Sequence, residues 1–127
     1  MPDALCFIPA RMASSRFPGK PLAPLLGMPL ILHVWHRCRL ANVFSRVVVA
    51  TCDREIFDCV TDAGGEAVMT ADSHERCTDR VSEAVDLSAP GGDGSEVVIM
   101  VQGDEVLVDP ASLDAMHERL ISTDAAA

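Results

Sequence analysis

Apolar residues fall into short unbroken runs, and between them lie stretches whose apolar positions recur at helical spacing. Ala4 to Ile8, Arg46 to Thr51, Glu66 to Met69 and Glu96 to Val101 are the runs, and each reads as a β-strand. Ala4-Leu5-Cys6-Phe7-Ile8 has no polar position at all, the pattern of a strand covered on both faces, and Pro9 is predicted to end it. Between the runs, Pro29 to Leu40 reads as a helix with Leu30, Val34 and Arg37 or Cys38 along one side. Asp53 is placed to cap a helix running to about Thr61, which Gly64-Gly65 stops. Thr78 to Leu87 carries Val81, Ala84 and Val85 on one face, and Asp109-Pro110 supplies a cap and a first-turn proline for a last helix ending near Ile121. Ala89-Pro90-Gly91-Gly92-Asp93-Gly94 is a turn.

Strands alternating with helices imply right-handed crossovers and a mostly parallel sheet, so the predicted class is α/β with helices on both faces, an αβα three-layer arrangement. One domain is expected over residues 1–121, with 122–127 as a loose tail. In such sheets ligands collect beyond the carboxyl ends of the strands. The segments leaving the first and last runs are therefore the candidate ligand loops.

The first run opens into Arg11-Met12-Ala13-Ser14-Ser15-Arg16-Phe17-Pro18-Gly19-Lys20-Pro21, which holds the only lysine of the chain. Arginine offers phosphate a planar fork and lysine a point charge, while hydroxyls and backbone amides near a glycine close on the remaining oxygens. The loop suits a phosphate chain, although Gly19-Lys20-Pro21 is not a P-loop, which needs two glycines and a following Ser or Thr. A surface loop with solvated arginines has the same composition. The last run leads into Gln102-Gly103-Asp104-Glu105, where Asp104 is either a hard oxygen ligand for a cation such as Mg²⁺ or an acidic turn residue beside a glycine. Glu105 is expected to orient that turn, and Gln102 to bond a sugar, a base or its own backbone. A third segment, His74-Glu75-Arg76-Cys77-Thr78-Asp79-Arg80, precedes a helix that Thr78 is able to cap. His74 is the best placed of the four histidines; His33 and His36 belong to the surface of the first helix, and His117 to that of the last.

Ile8-Pro9-Ala10-Arg11, Ser14, Arg16 and Pro18-Gly19-Lys20-Pro21-Leu22 together closely resemble the opening signature of the 3-deoxy-manno-octulosonate (Kdo) cytidylyltransferases. Val101 to Glu105 resembles that family's metal-binding turn, and the segment from His74 to Arg80 its His-x-Ser-Gly-Thr-(Asp/Glu)-Arg segment, with Arg76-Cys77 standing where Ser-Gly is usual. The resemblance implies a Rossmann-like nucleotidyltransferase fold. It implies transfer of CMP from CTP to an acidic sugar, Kdo, with release of pyrophosphate, in lipopolysaccharide precursor synthesis. It assigns Arg11, Lys20 and Asp104 to the reaction, Mg²⁺ to Asp104, and nucleotide contacts to Pro9, Ala10, Arg11, Ser14, Ser15, Arg16, Lys20, Thr78, Arg80 and Gln102. Homodimers are usual in the family. Its members are about twice as long, so the C-terminal part of the fold, a second metal carboxylate and much of the sugar pocket are expected outside these 127 residues. Two alternatives remain, a non-catalytic CTP-binding half-domain and an enzyme for another acidic sugar, sialate-like or an amino-octulosonate.

Composition narrows the partners. The net charge of −9 divides unevenly: residues 1–46 hold six Arg and Lys against one acid, Asp3, and residues 47–127 hold four against eighteen. An acidic chain with a cationic amino-terminal loop fits a nucleotide polyphosphate and not a nucleic-acid backbone. No apolar run approaches the ~20 residues of a membrane span. Five cysteines without a C-x-x-C pair read as reduced thiols, which predicts a cytoplasmic protein with neither a disulfide frame nor a zinc site.

Overall fold

The computed structural model describes residues 4–13, 19–71, 77–88 and 97–123. Strands β1 (Ala4–Ala10), β4 (Phe44–Thr51), β5 (Glu66–Met69) and β6 (Val97–Met100) form one parallel sheet in the order β5-β4-β1-β6. Helices α1 (Leu30–Arg39), α2 (Arg54–Asp62), α3 (Cys77–Ser88) and α4 (Pro110–Thr123) fill the connections, and a two-residue hairpin of β2 (Pro24–Leu25) and β3 (Met28–Pro29) precedes α1.

The alternation of β1 explains the three layers. Cys6 and Ile8 pack with Ile31, Trp35, Ile56, Val60 and Leu113 on the face covered by α1, α2 and α4. Leu5 and Phe7 pack with Val81 and Ala84 of α3 on the other. Every residue of β1 is buried, as a run without polar positions requires.

Pro9 does not end the strand: Pro9 and Ala10 continue β1, in register with Ala50 and Thr51 of β4. Pairing with β6 stops at Phe7 and Met100, where the Val101 N–H donates to the Phe7 carbonyl. Backbone groups alternate sides along a strand, so the Pro9 nitrogen faces the β6 side, where the ladder has already ended and no donor is needed. β4 begins at Phe44, two residues earlier than expected, and α3 begins at Cys77, which places Thr78 inside the first turn and not at the cap. Residues 122 and 123 continue α4; 124–127 lie outside the described residues.

His117 is buried, one turn beyond Leu113 on the inner face of α4, and not on the surface as expected; its Nε2 has no hydrogen-bond partner among the described residues. The hairpin has no strand-like run to announce it. Its turn is Leu26-Gly27, both at positive φ (54° and 83°), and Leu26 is 93% exposed.

Candidate active site

The carboxyl ends of all four sheet strands are joined by one series of bonds. At the end of β5 the buried Arg80 donates through Nη1 to Thr70 Oγ1 at 2.6 Å and to the Ala71 carbonyl at 3.1 Å. Thr70 N–H donates to the Thr51 carbonyl at 2.8 Å, crossing to β4. Thr51 Oγ1 accepts the Asp53 N–H at 3.1 Å, and Asp53 Oδ2 accepts the Met12 N–H at 2.7 Å, crossing to the loop after β1. Met12 accepts the Gly19 N–H at 2.8 Å through its carbonyl. Lys20 Nζ then stands 3.3 Å from Asp104 Oδ2, in the turn after β6.

Gly19 takes a left-handed conformation (φ 79°) that a side chain disfavours, and this turns the chain into a single 3₁₀ turn, Lys20–Leu22. The lysine is aimed across the sheet end by that turn. Facing it, Gln102 to Glu105 closes on itself: Glu105 N–H donates to the Gln102 carbonyl at 3.1 Å, and Gln102 N–H to Glu105 Oε1 at 3.3 Å. Glu105 thus orients the turn. Gly103 allows the turn to sit against β1, because a Cβ there would lie 2.8 Å from the Pro9 carbonyl oxygen and 3.1 Å from Ala10 Cβ. Pro9 and Ala10 form the floor on which Gly103, the neighbour of Asp104, rests. Arg37, on the flank of α1, anchors the far side of the segment by donating to the Val108 carbonyl at 2.6 Å.

Lys20 and Asp104 are half-exposed, with 36% and 55% of their side chains accessible, so both are open to an incoming ligand. Arg11 is exposed at the end of β1. Thr78 is exposed in the first turn of α3, whereas Arg80 is buried and holds residues 70 and 71 in place. Gln102 is half-buried beside the turn. Ser14, Ser15, Arg16 and His74 lie outside the described residues.

Asp53 belongs to this arrangement and was read from the sequence only as a helix cap. It occupies the cap position of α2 but makes no side-chain cap bond; its carboxylate goes to the loop after β1 instead. The available signal was its place shortly after an apolar run, two residues beyond Thr51, as Asp104 stands three beyond Val101. No group of three or more His, Cys, Asp or Glu able to hold a metal occurs among the described residues. A cavity of about 260 Å³ lined by Trp35, Arg39, Arg46 and Glu66 lies at the opposite end of the sheet, where β4 and β5 begin, and takes no part in this arrangement.

A family model described as cytidylyltransferase matches residues 5–126. The chain is 47% identical over 114 residues to a 3-deoxy-manno-octulosonate cytidylyltransferase of Trichlorobacter lovleyi, covering 90% of this chain and 43% of that protein. It is 44% identical over 114 residues to an 8-amino-3,8-dideoxy-manno-octulosonate cytidylyltransferase of Shewanella putrefaciens, covering 90% and 46%. Among solved structures, a CMP:2-keto-3-deoxy-manno-octonic acid synthetase complexed with CTP superposes with a TM-score of 0.88 at 35% identity, over 97% of this chain and 49% of that one. The chain spans less than half the length of the curated relatives it matches. No helix among the described residues is long and apolar enough to cross a membrane. With the αβα sheet, the loop after β1 and the Asp104 turn on one sheet end, the chain belongs to the cytidylyltransferase family.

Proposed function

We propose that the chain supplies the nucleotide side of a cytidylyltransferase that transfers CMP from CTP to an octulosonic acid, Kdo or its 8-amino analogue. The observation that carries this reading is the ion pair between Lys20 and Asp104, 84 residues apart, across the carboxyl ends of β1 and β6. A lone lysine in a glycine-proline loop facing a carboxylate on a glycine turn is an arrangement for a polyphosphate and its cation. Relatives bearing the Kdo and the 8-amino names match this chain about equally well, so both sugars stand as substrates.

In the proposed reaction the anomeric hydroxyl of the sugar attacks the α-phosphorus of CTP. A P–O bond forms there, the α–β phosphoanhydride breaks, pyrophosphate leaves, and the hydroxyl proton passes to solvent. Charge accumulates on the α-phosphoryl oxygens and on pyrophosphate, and fixed cations there lower the barrier more than they strengthen ground-state binding. Arg11 at the end of β1 and Lys20 at the far end of the loop are the groups for it. Asp104 fits Mg²⁺, which favours one or two carboxylates with phosphate oxygens and water; when bound, the ion neutralises phosphate charge. The nucleotide contacts of Thr78, Gln102, Ser14, Ser15 and Arg16 belong to the same proposal. Arg80 enters as the buried support of residues 70 and 71. The sugar site, pyrophosphate release and a homodimer are proposed for the whole protein, not for these 127 residues alone.

Asp104→Asn is the test, because it changes sign with the metal. Without Mg²⁺ the variant binds CTP more tightly than wild type, since Lys20 is released and one negative charge is gone; the gain is at most about fivefold, as an exposed pair contributes only ~0–1 kcal/mol. With Mg²⁺ wild type gains affinity and the variant does not. Calorimetry in EDTA and in Mg²⁺ measures both, and an identical metal dependence in the two proteins overturns the assignment.

A further inference from the structure

Asp53 stands between the parts of the proposed site without belonging to any of its sequence motifs. Its Oδ2 accepts the Met12 N–H at 2.7 Å, from a residue 41 positions away, and the Met12 carbonyl accepts the Gly19 N–H at 2.8 Å. Met12 is therefore gripped through both backbone groups, at the base of the loop between residues 12 and 19. Arg11 and Lys20 are the residues immediately outside those two bonds. Asp53 is itself held at both ends: its N–H donates to Thr51 Oγ1 at 3.1 Å, and its carbonyl accepts the Phe57 N–H at 3.1 Å.

An aspartate at a helix start ordinarily turns its carboxylate onto the free amides of the first turn. Asp53 makes no such bond. A carboxylate beside a phosphate site also opposes the ligand by charge, so attraction for the ligand does not explain it. Its geometry explains it as a fixed acceptor.

We propose that Asp53 is the positioning residue of the phosphate loop: by accepting the Met12 N–H it holds Arg11 and Lys20 at one spacing for the triphosphate. This rests on the CTP reading above. Three variants separate reach from charge. Asp53→Asn keeps an acceptor oxygen at the same reach, Asp53→Glu keeps the charge on a longer arm, and Asp53→Ala removes both.

Amide exchange of the ligand-free protein is followed at Met12 and Gly19, with Mg²⁺-CTP calorimetry and cytidine titrations by chemical shift alongside. Protection is expected to persist in wild type and Asp53→Asn and to fall about tenfold or more in Asp53→Glu and Asp53→Ala, the scale set by loss of a charge-assisted hydrogen bond. CTP affinity follows the same order, equal or tighter in Asp53→Asn and about tenfold weaker in the other two, while cytidine, which has no phosphates, binds all four alike. Melting temperatures read alongside separate this from loss of the fold. Should Asp53→Ala not fold, the Asn and Glu variants decide the matter.

A purely electrostatic role predicts wild-type binding in Asp53→Glu and altered binding in Asp53→Asn, and that order overturns the proposal. So does faster exchange with unchanged CTP affinity, or equal protection in every variant. Failure of wild type to bind CTP overturns the functional reading instead, and the exchange comparison then tests the Asp53 bond by itself.

Discussion

Among the described residues Lys20 contributes to one ion pair, with Asp104, and both partners are half-exposed. Such a pair adds ~0–1 kcal/mol to folding, because solvent screens it and two long side chains must be held. Its value lies in the ligand. Lys20→Ala is therefore expected to leave the melting temperature nearly unchanged while weakening CTP binding by about 1.5–3 kcal/mol, the range for hydrogen bonds to charged groups. Thermal denaturation and calorimetry on the same preparations check it; equal CTP binding by both proteins counts against the site. Lys20 and Asp104 were legible in the sequence because each is a charge placed beside glycine after an apolar run. The bond of Asp53 to Met12 and the burial of Arg80, which the resemblance names as a nucleotide contact, were not, and for a physical reason. An aspartate before a helix already has an ordinary explanation as a cap, and nothing local to an arginine in a helix shows that it is buried against Thr70.

Among elements, the four sheet strands and four helices follow from apolar runs and helical spacing, because burial on one or both faces leaves that imprint directly. The hairpin β2–β3 leaves none: each strand has two residues, one of them a proline, and its turn places Leu26 at φ 54°, which strains a residue with a side chain. The end of β1 was misplaced because proline is read as a breaker, when the deciding factor is the side its nitrogen faces. Contact between β1 and α1 carries a consequence at alkaline pH. Cys6 and Cys38 are both buried, and the hydrogen bond to Cys38 with burial pushes the Cys6 thiol far above its ordinary value of 9.0. A folded-state pKa raised above the unfolded one means that above pH 9 the unfolded chain releases a proton the folded chain keeps. Stability is then complete below that pH and falls as the pH rises, by up to about 1.4 kcal/mol per pH unit for each thiol held neutral. The chain has no tyrosine and one lysine, but it has four further cysteines, of which Cys59 is also raised by burial and by Asp62, so the difference between wild type and Cys6→Ala, and not the whole slope, belongs to Cys6. Urea unfolding from pH 8 to 10.5 is expected to show the decline, with a shallower slope for Cys6→Ala. A flat profile in wild type contradicts it.

At the scale of the whole molecule, charge and apolar surface are separated. Cations cluster in the first third of the sequence, and the sheet gathers the loop that carries Arg11 and Lys20 at one end of the molecule, opposite a carboxylate from the acidic remainder. The flank beyond β6 is different. Among the described residues β6 is an outer strand of the sheet, and it carries Val98, 39% exposed. The turns after it expose 85% of Leu107, and α4 exposes 47% of Met116. An outer strand offers a row of backbone donors and acceptors to any second strand, and apolar side chains beside it add burial to that pairing. This chain is accordingly expected to associate through the β6 edge as its concentration rises. Light scattering coupled to size exclusion should give a mass that climbs above 13.6 kDa with loading. Val98→Lys places a charge on the edge strand and Leu107→Asp one on the adjoining turn; both side chains are substantially exposed, so each change should alter folding stability by only about 0.5 kcal/mol or less. Association is expected to weaken in each single variant and to disappear in the double. A wild-type mass that stays at the monomer value across the concentration range shows the edge to be closed, and association that persists in the double variant assigns it to some other surface.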